Sequence, residues 1–210
     1  NGGMNTNYAA DPNPNCLVGV FCGGSAGVDL TQLFISASYA RSDGPLSWGV
    51  APTLAVQRFS AKGLAAFGGI SVDPTSLTDN GYDFSYGIGL RAGLQYEVSP
   101  TVTLGVSGQT RFDMSEFDLY SGLFEGGGDF DIPAAVTVGA TFQARPDLNI
   151  SVDYQRIFYS DIPAVANGMA AGPLGADGGA GFGWEDVDVI RIGAEWEQAP
   201  GTIWRAGYAH

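Results

Sequence analysis

Between Tyr82 and Val98 the chain alternates without a break. Tyr82, Phe84, Tyr86, Ile88, Leu90, Ala92, Leu94, Tyr96 and Val98 share one parity; Asp83, Ser85, Gly87, Gly89, Arg91, Gly93, Gln95 and Glu97 share the other. A period of two sends successive side chains to opposite faces of a β-strand. After Ser99-Pro100 the pattern resumes. Val102, Leu104, Val106, Thr110, Phe112 and Met114 fall on one face, and Thr103, Ser107, Gln109, Arg111 and Asp113 on the other. Strands of globular proteins run about five or six residues. Two much longer ones joined by a tight turn suit tilted strands that cross a bilayer of about 30 Å.

The same alternation predicts eight strands in all, over 30–41, 47–60, 82–98, 102–114, 132–144, 148–159, 187–197 and 203–208. In the first, Leu33, Ile35, Ala37 and Tyr39 oppose Gln32, Ser36 and Ser38, with Phe34 on the polar side. Pro52 lies inside the second and marks a bulge or kink there. In the fifth, Ile132, Ala134, Val136, Val138, Ala140 and Phe142 share the apolar face. Short turns fall at 42–46, 99–101, 145–147 and 198–201, and long connections at 1–29, 61–80, 115–131 and 160–186. Strict alternation of short and long connections predicts an all-β, antiparallel up-and-down transmembrane β-barrel, with short periplasmic turns and long extracellular loops. Tyr39, Trp48, Tyr96, Phe142, Trp196 and Trp204 all lie near a short turn and predict an aromatic girdle at that boundary. A secreted antiparallel sandwich shares the alternation, but neither the strand length nor aromatics held at one height.

Composition narrows the function. Among 210 residues there are 22 acids and 9 bases, a net charge of −13, which argues against nucleic acid as a partner. The acids gather in the long connections, as in Asp113–Asp131 and Asp177–Asp188, and leave the strands nearly neutral. Solvated loop charge is the favoured reading of these clusters, since no divalent-cation ligand spacing is evident. No run of eighteen apolar residues exists, so no membrane helix is expected. Cys16 and Cys22 stand in a Gly, Pro and Asn-rich stretch and are disulfide candidates in an oxidising compartment, with two free thiols as the alternative. The chain starts at Asn1 and stops at His210 within an alternating pattern, as expected of a piece of a longer exported protein.

Catalytic chemistry finds no footing. The single histidine is His210, so triads, Cys-His pairs and histidine-rich metal sites are not expected, and neither an enzyme nor a cofactor is predicted. Gly87-Ile88-Gly89 lacks the strand–turn–helix context of a phosphate cradle, and Gly175-Ala176-Asp177-Gly178-Gly179 occurs once, without the period of a calcium repeat. The informative surface is the inward parity. Arg91, Gln95, Gln109, Arg111, Asp153, Gln155 and Arg191 project there among glycines and serines, either bonded to one another or meeting the polar head of a ligand. Apolar residues inside the long loops, Leu64, Phe67, Leu123, Phe124, Phe182 and Trp184, either pack the loops together or form the mouth of a greasy site.

Several segments together resemble a known family. Asn1-Gly2-Gly3-Met4-Asn5-Thr6, Gln57-Arg58-Phe59, Asn80-Gly81-Tyr82-Asp83, Tyr120-Ser121-Gly122-Leu123, Phe130-Asp131-Ile132-Pro133, Asp153-Tyr154-Gln155-Arg156-Ile157, Gly181-Phe182-Gly183-Trp184 and Arg205-Ala206-Gly207-Tyr208 are similar to stretches of the outer-membrane long-chain fatty acid and hydrocarbon transporters, the FadL/TodX group. The resemblance implies a fourteen-stranded barrel plugged by an N-terminal hatch, of which residues 1–210 would be one central portion without hatch or terminal strands. It also implies hydrophobic ligands captured at the outer loops and passed inward without energy input. The Cys16/Cys22 loop is not a feature of that pattern.

The expected function is passive transport of hydrophobic small molecules, such as long-chain fatty acids or aromatic hydrocarbons, across a Gram-negative outer membrane. The expected surroundings are outer-membrane lipid and lipopolysaccharide, and the expected state a monomer. A general polar porin, a secreted adhesive or binding β-domain and a barrel enzyme are the competing classes.

Overall fold

The computed structural model describes residues 2–9 and 23–210. These form one antiparallel sheet, built from β1 (Gly2–Tyr8), β2 (Gly24–Ser36), β3 (Tyr39–Asp43), β4 (Leu46–Lys62), β5 (Asp83–Ser99), β6 (Val102–Gln109), β7 (Asp113–Met114), β8 (Ala135–Arg145), β9 (Leu148–Ile157), β10 (Val187–Ala199) and β11 (Thr202–Ala209). Neighbours in the sheet follow chain order, β1-β2-β4-β5-β6-β8-β9-β10-β11, with β3 paired to β4 and β7 to β5. β3 continues the line of β2 beyond Ala37-Ser38, and both lie along β4 opposite Pro52, the kink that its missing N–H predicts. Among the described residues no helix is long and apolar enough to cross a membrane, a fact silent about strands.

All eight predicted strands are present, and one more precedes them. Residues 1–29 read as loop from their glycine and asparagine content, yet Gly2–Tyr8 pairs residue by residue with Gly24–Leu30. Backbone pairing to an existing strand edge overrides weak propensity in this segment. Cys16 and Cys22 lie outside the described residues.

Burial along each strand is the reverse of that in a soluble protein. On β5, Tyr86, Ile88 and Leu94 are exposed, Ile88 by 73%, while on the opposite parity Ser85 and Gly87 are buried and Gly89, Arg91 and Gly93 half-buried. On β4, Leu54 is exposed while Thr53, Ala55 and Gln57 are buried. β8 and β10 repeat the pattern through Val136, Val138, Phe142, Ile190 and Ile192. An apolar face this extensive is stable only against hydrocarbon. Tyr39, Trp48, Tyr96, Phe142, Trp196 and Trp204 are all exposed near the short turns. Trp196 Nε1 donates to Asp147 at 2.9 Å and Trp204 Nε1 to Gln198 at 2.7 Å, the polar handles that a ring at a bilayer boundary needs. Toward the other end of the strands the outer face turns polar. Tyr82 Oη donates to Asp29 at 2.8 Å beneath Arg58, and Tyr154 Oη donates to Asp188 at 2.7 Å beside Arg156.

The packed core lies on the inner face, at the long-loop end. The connections after β7 and β9 fold back over it, so that Phe117, Tyr120, Phe124, Ile162, Ala164 and Val165 close around Phe59 and Ala61 of β4. Phe59 meets Tyr120 and Phe124 edge-on, each at 4.9 Å between ring centres. Tyr120 Oη donates to the Gly81 carbonyl at 2.5 Å and accepts the Ala61 N–H at 3.0 Å, tying the cap to the rim of β4.

Candidate functional site

The inner face presents a polar zone next to the short turns and an apolar zone next to the long loops. In the polar zone a hollow of about 370 Å³ is lined by Tyr39, Arg91, Gln109, Thr137 and Gln155, residues from five strands. A second, of about 460 Å³, is lined by Arg41, Gln95, Thr141 and Asp153 among others. Five of the seven predicted inward residues line these two hollows, Arg191 joins them through Gln155, and several are bonded to one another. Arg91 Nε donates to Gln109 Oε1 at 3.3 Å, and Gln109 Nε2 donates to the Pro133 carbonyl at 3.0 Å. Arg191 donates to Gln155 Oε1 at 2.5 Å and is the cross-strand partner of Asp153. Each pair satisfies part of the hydrogen-bonding capacity of groups that line a half-enclosed space.

Arg111 stands apart from the rest. It pairs with Asp131, which is only 5% exposed, with weaker approaches to Asp129 and Asp113, and its Nη1 donates to the Asp161 carbonyl at 2.8 Å. Asp131 also accepts the Met114 N–H at 2.6 Å. The Arg111–Asp131 pair thus pins both folded-back loops to the wall. Neighbouring Asp129 has one carboxylate oxygen buried without a hydrogen-bond partner among the described residues. Burial first, and the adjacent Asp131 second, push its carboxyl up to about 7.

The apolar zone contains residues that alternation misplaced. Phe112, Met114 and Ile132 were predicted to face outward, yet they are buried in an inner cluster with Ala55, against which Phe34 packs. The cause is a slip of register. Gln109 opposes Arg91, a sum of positions of 200, whereas Asp113 opposes Ile88 and Met114 opposes Gly87, a sum of 201. One extra residue on the β6–β7 side exchanges the two faces from there onward. Asp113 turns outward as Phe112 and Met114 turn in. Gly87 and Gly89 make the room: a Cβ on Gly89 would sit 2.8 Å from the Phe112 ring, and one on Gly87 2.4 Å from Met114 Sδ. The Gly87-Ile88-Gly89 stretch is thus a seat for two inward side chains. Phe34, the apolar residue on a polar parity, packs edge-on against Phe112 at 5.7 Å, and the Arg91 guanidinium lies 4.5 Å from its ring centre. That one exception to alternation was the available signal for the cluster.

The loop candidates divide. Phe124 is buried in the cap, with Leu64 and Leu123 packed against it. Phe67 is half-buried and lies outside that cluster. Phe182 and Trp184 stay exposed, their rings 6.0 Å apart, with Trp184 edge-on to Tyr159 at 5.3 Å. Gln57, part of the family-like Gln57-Arg58-Phe59 segment but not among the predicted inward residues, is fully buried between the two apolar clusters. Among the described residues no group of three or more His, Cys, Asp or Glu side chains is placed to hold a metal ion.

This geometry has solved counterparts. The toluene transporter TbuX of Ralstonia pickettii superposes with a TM-score of 0.64 at 21% identity, over 88% of this chain and 57% of that one. A toluene transporter TodX of Pseudomonas putida gives 0.66 at 15% identity, over 100% and 61%. A Pseudomonas aeruginosa FadL homologue gives 0.59 at 15% identity, over 98% and 54%. The chain has the fold of these β-barrels. It spans about three-fifths of the length of the first structures it matches. Neither protein-family models nor curated proteins give a match. The inverted burial and the short-turn girdle are what such a wall requires of its sequence.

Proposed function

We infer that this chain forms part of the wall of an outer-membrane channel for hydrophobic compounds, aromatic hydrocarbons or long-chain fatty acids, which cross it passively. The observation that carries the reading is the apolar zone on the inner face at the long-loop end. A general polar porin fills its interior with water and has no use for Phe34, Phe112, Met114 and Ile132 there. A greasy solute leaving water gains about 25 cal/mol for each Å² of apolar surface it buries, so such a zone concentrates it at the entrance. Farther in, Arg91, Gln109, Gln155 and Arg191 offer hydrogen bonds to a carboxylate or other polar head. The names of the solved counterparts, two toluene transporters and a FadL homologue, support the same substrate class. The wall requires no cofactor, and the bilayer and its lipopolysaccharide are its surroundings.

The test is uptake of labelled toluene and of a labelled long-chain fatty acid by the full-length protein in outer-membrane vesicles. Saturable uptake that empty vesicles lack is expected, and Arg91→Ala or Arg191→Ala should weaken the fatty acid arm alone. Permeation of sugars with no binding of either lipophile would make the protein a polar porin instead.

A further inference from the structure

Five arginines are half-buried among the described residues, and they divide by partner. Arg58, Arg111 and Arg156 each pair with an aspartate. Arg91 and Arg191, in the polar zone, form no ion pair among the described residues; each is held by the amide oxygen of a glutamine instead. Gln109 is itself fixed, since its Nε2 donates to the Pro133 carbonyl and so turns Oε1 toward Arg91 Nε. The Arg91 Nη groups bond to no described residue, and Arg91, Gln109 and Gln155 all border the hollow of about 370 Å³. An acid was within reach of Arg191. Asp153 is its cross-strand partner, yet that carboxylate leans the other way, over Gly139 of β8, into the space that a Cβ would take. Leaving a half-buried guanidinium without a counter-charge is costly, and a carboxylate at position 109 or 155 would remove that cost. A glutamine fixes the direction of the guanidinium and leaves its charge intact.

We propose that Gln109 and Gln155 set the charge preference of the channel: as neutral holders they keep Arg91 and Arg191 positive, so that the hollow takes a ligand with an anionic head. Both are positioning residues that act through the arginines. The proposal rests on the transport reading above and narrows its substrate class to amphiphiles whose anionic head adjoins an apolar body. A guanidinium only donates hydrogen bonds, and those it makes to an anion are about twice as strong as those to a neutral acceptor. Phe34, half-buried with its ring centre 4.5 Å from the Arg91 guanidinium, offers apolar surface beside the head. A hydrocarbon without a head gives the guanidinium nothing and gains from apolar contact alone.

The experiment titrates fluorobenzenesulfonate, an anion at every working pH, and uncharged fluorotoluene by ¹⁹F NMR against the full-length protein in detergent. Wild type, Gln109→Glu and Gln109→Leu are compared, with Gln155→Glu at the second arginine. Glutamate has the shape of glutamine but neutralises Arg91, whereas leucine removes the holder and leaves the charge. Expected is a sulfonate affinity, relative to fluorotoluene, that falls about tenfold in Gln109→Glu and less in Gln109→Leu. Packing alone predicts the reverse order, because glutamate fits the site better than leucine. Gln155→Glu should repeat the loss at Arg191, and it decides the matter if Gln109→Glu does not fold. No sulfonate binding by the wild type, a ratio unchanged by either glutamate, or a ratio lower in Gln109→Leu than in Gln109→Glu would overturn the proposal. Uptake of labelled toluene and fatty acid into vesicles is measured alongside: the absence of both sinks the transport reading, whereas the affinity ratio judges the glutamines whether or not transport occurs.

Discussion

The ring of Phe112 lies flat over the bare backbone of Gly89, where a Cβ would stand 2.8 Å from three of its atoms. The contact holds an aromatic ring inside the barrel wall at a position that regular alternation would send into lipid. Gly89→Ala should therefore displace Phe112 and cost about 1–3 kcal/mol of stability through overpacking. Gly105→Ala is the control, because its added carbon would meet the nearest atom at an ordinary 3.7 Å. Heat-modifiability on gels, or thermal melts in detergent, should separate the two variants clearly.

Arg111→Ala should open the loop cap. Asp131 is nearly fully buried, and loss of its guanidinium partner leaves an uncompensated charge, a change worth about 3–5 kcal/mol. Arg111→Ala combined with Asp131→Ala should recover a good part of that loss. Limited proteolysis across residues 115–134 reads the difference directly.

Tyr120→Phe removes one oxygen and strands two backbone groups, the Ala61 N–H and the Gly81 carbonyl. A loss of about 1–3 kcal/mol is expected, with the ring packing against Phe59 otherwise kept. Amide exchange at Ala61 should accelerate in the variant more than exchange at the middle of β5.

The cap should also loosen as the pH rises. The Asp129 carboxyl, pushed up from 3.8 to about 7, keeps its proton in the folded protein over a range in which the unfolded chain has lost it. The folded state binds more protons there, so stability is greatest at the acid end of that window and declines toward its upper limit. Protease nicking of the cap is expected to be faster at about pH 8 than at about pH 5. Asp129→Asn should flatten that dependence.

The wall was legible because lipid on one side and a polar interior on the other impose a strict period of two. Tyr82–Val98 reads as a strand from its residues alone, and β5 occupies Asp83–Ser99. The tight turns were equally plain from Pro100, Pro146 and Pro200, which end one strand and begin the next. What was not legible depends on backbone register and on contacts distant in sequence. Gly2–Tyr8 carries little propensity of its own and becomes a strand because β2 offers an edge. Phe112 and Met114 continue the outward parity of β6 in the sequence, and only the pairing across to Gly87 and Ile88 reveals the slip. Gln57 stands in one of the family-like segments, but its burial depends on surroundings assembled from β4 and two distant loops. Leu123 and Phe124 were recognised as unusual for a loop, while their place under the cap came from Phe59, more than sixty positions earlier.

The slipped register between β6 and β7 has a genetic corollary. A single codon separates a strand that shows its oily side to the bilayer throughout from one that shows it first to lipid and then to the inner face of the sheet. Loss of that codon would shorten the chain by almost nothing, yet it would turn the upper part of the strand inside out. Phe112 and Met114 would be handed to the membrane, Asp113 would be drawn into the space they vacate, and the interior would lose its grease without the exchange of a single amino acid.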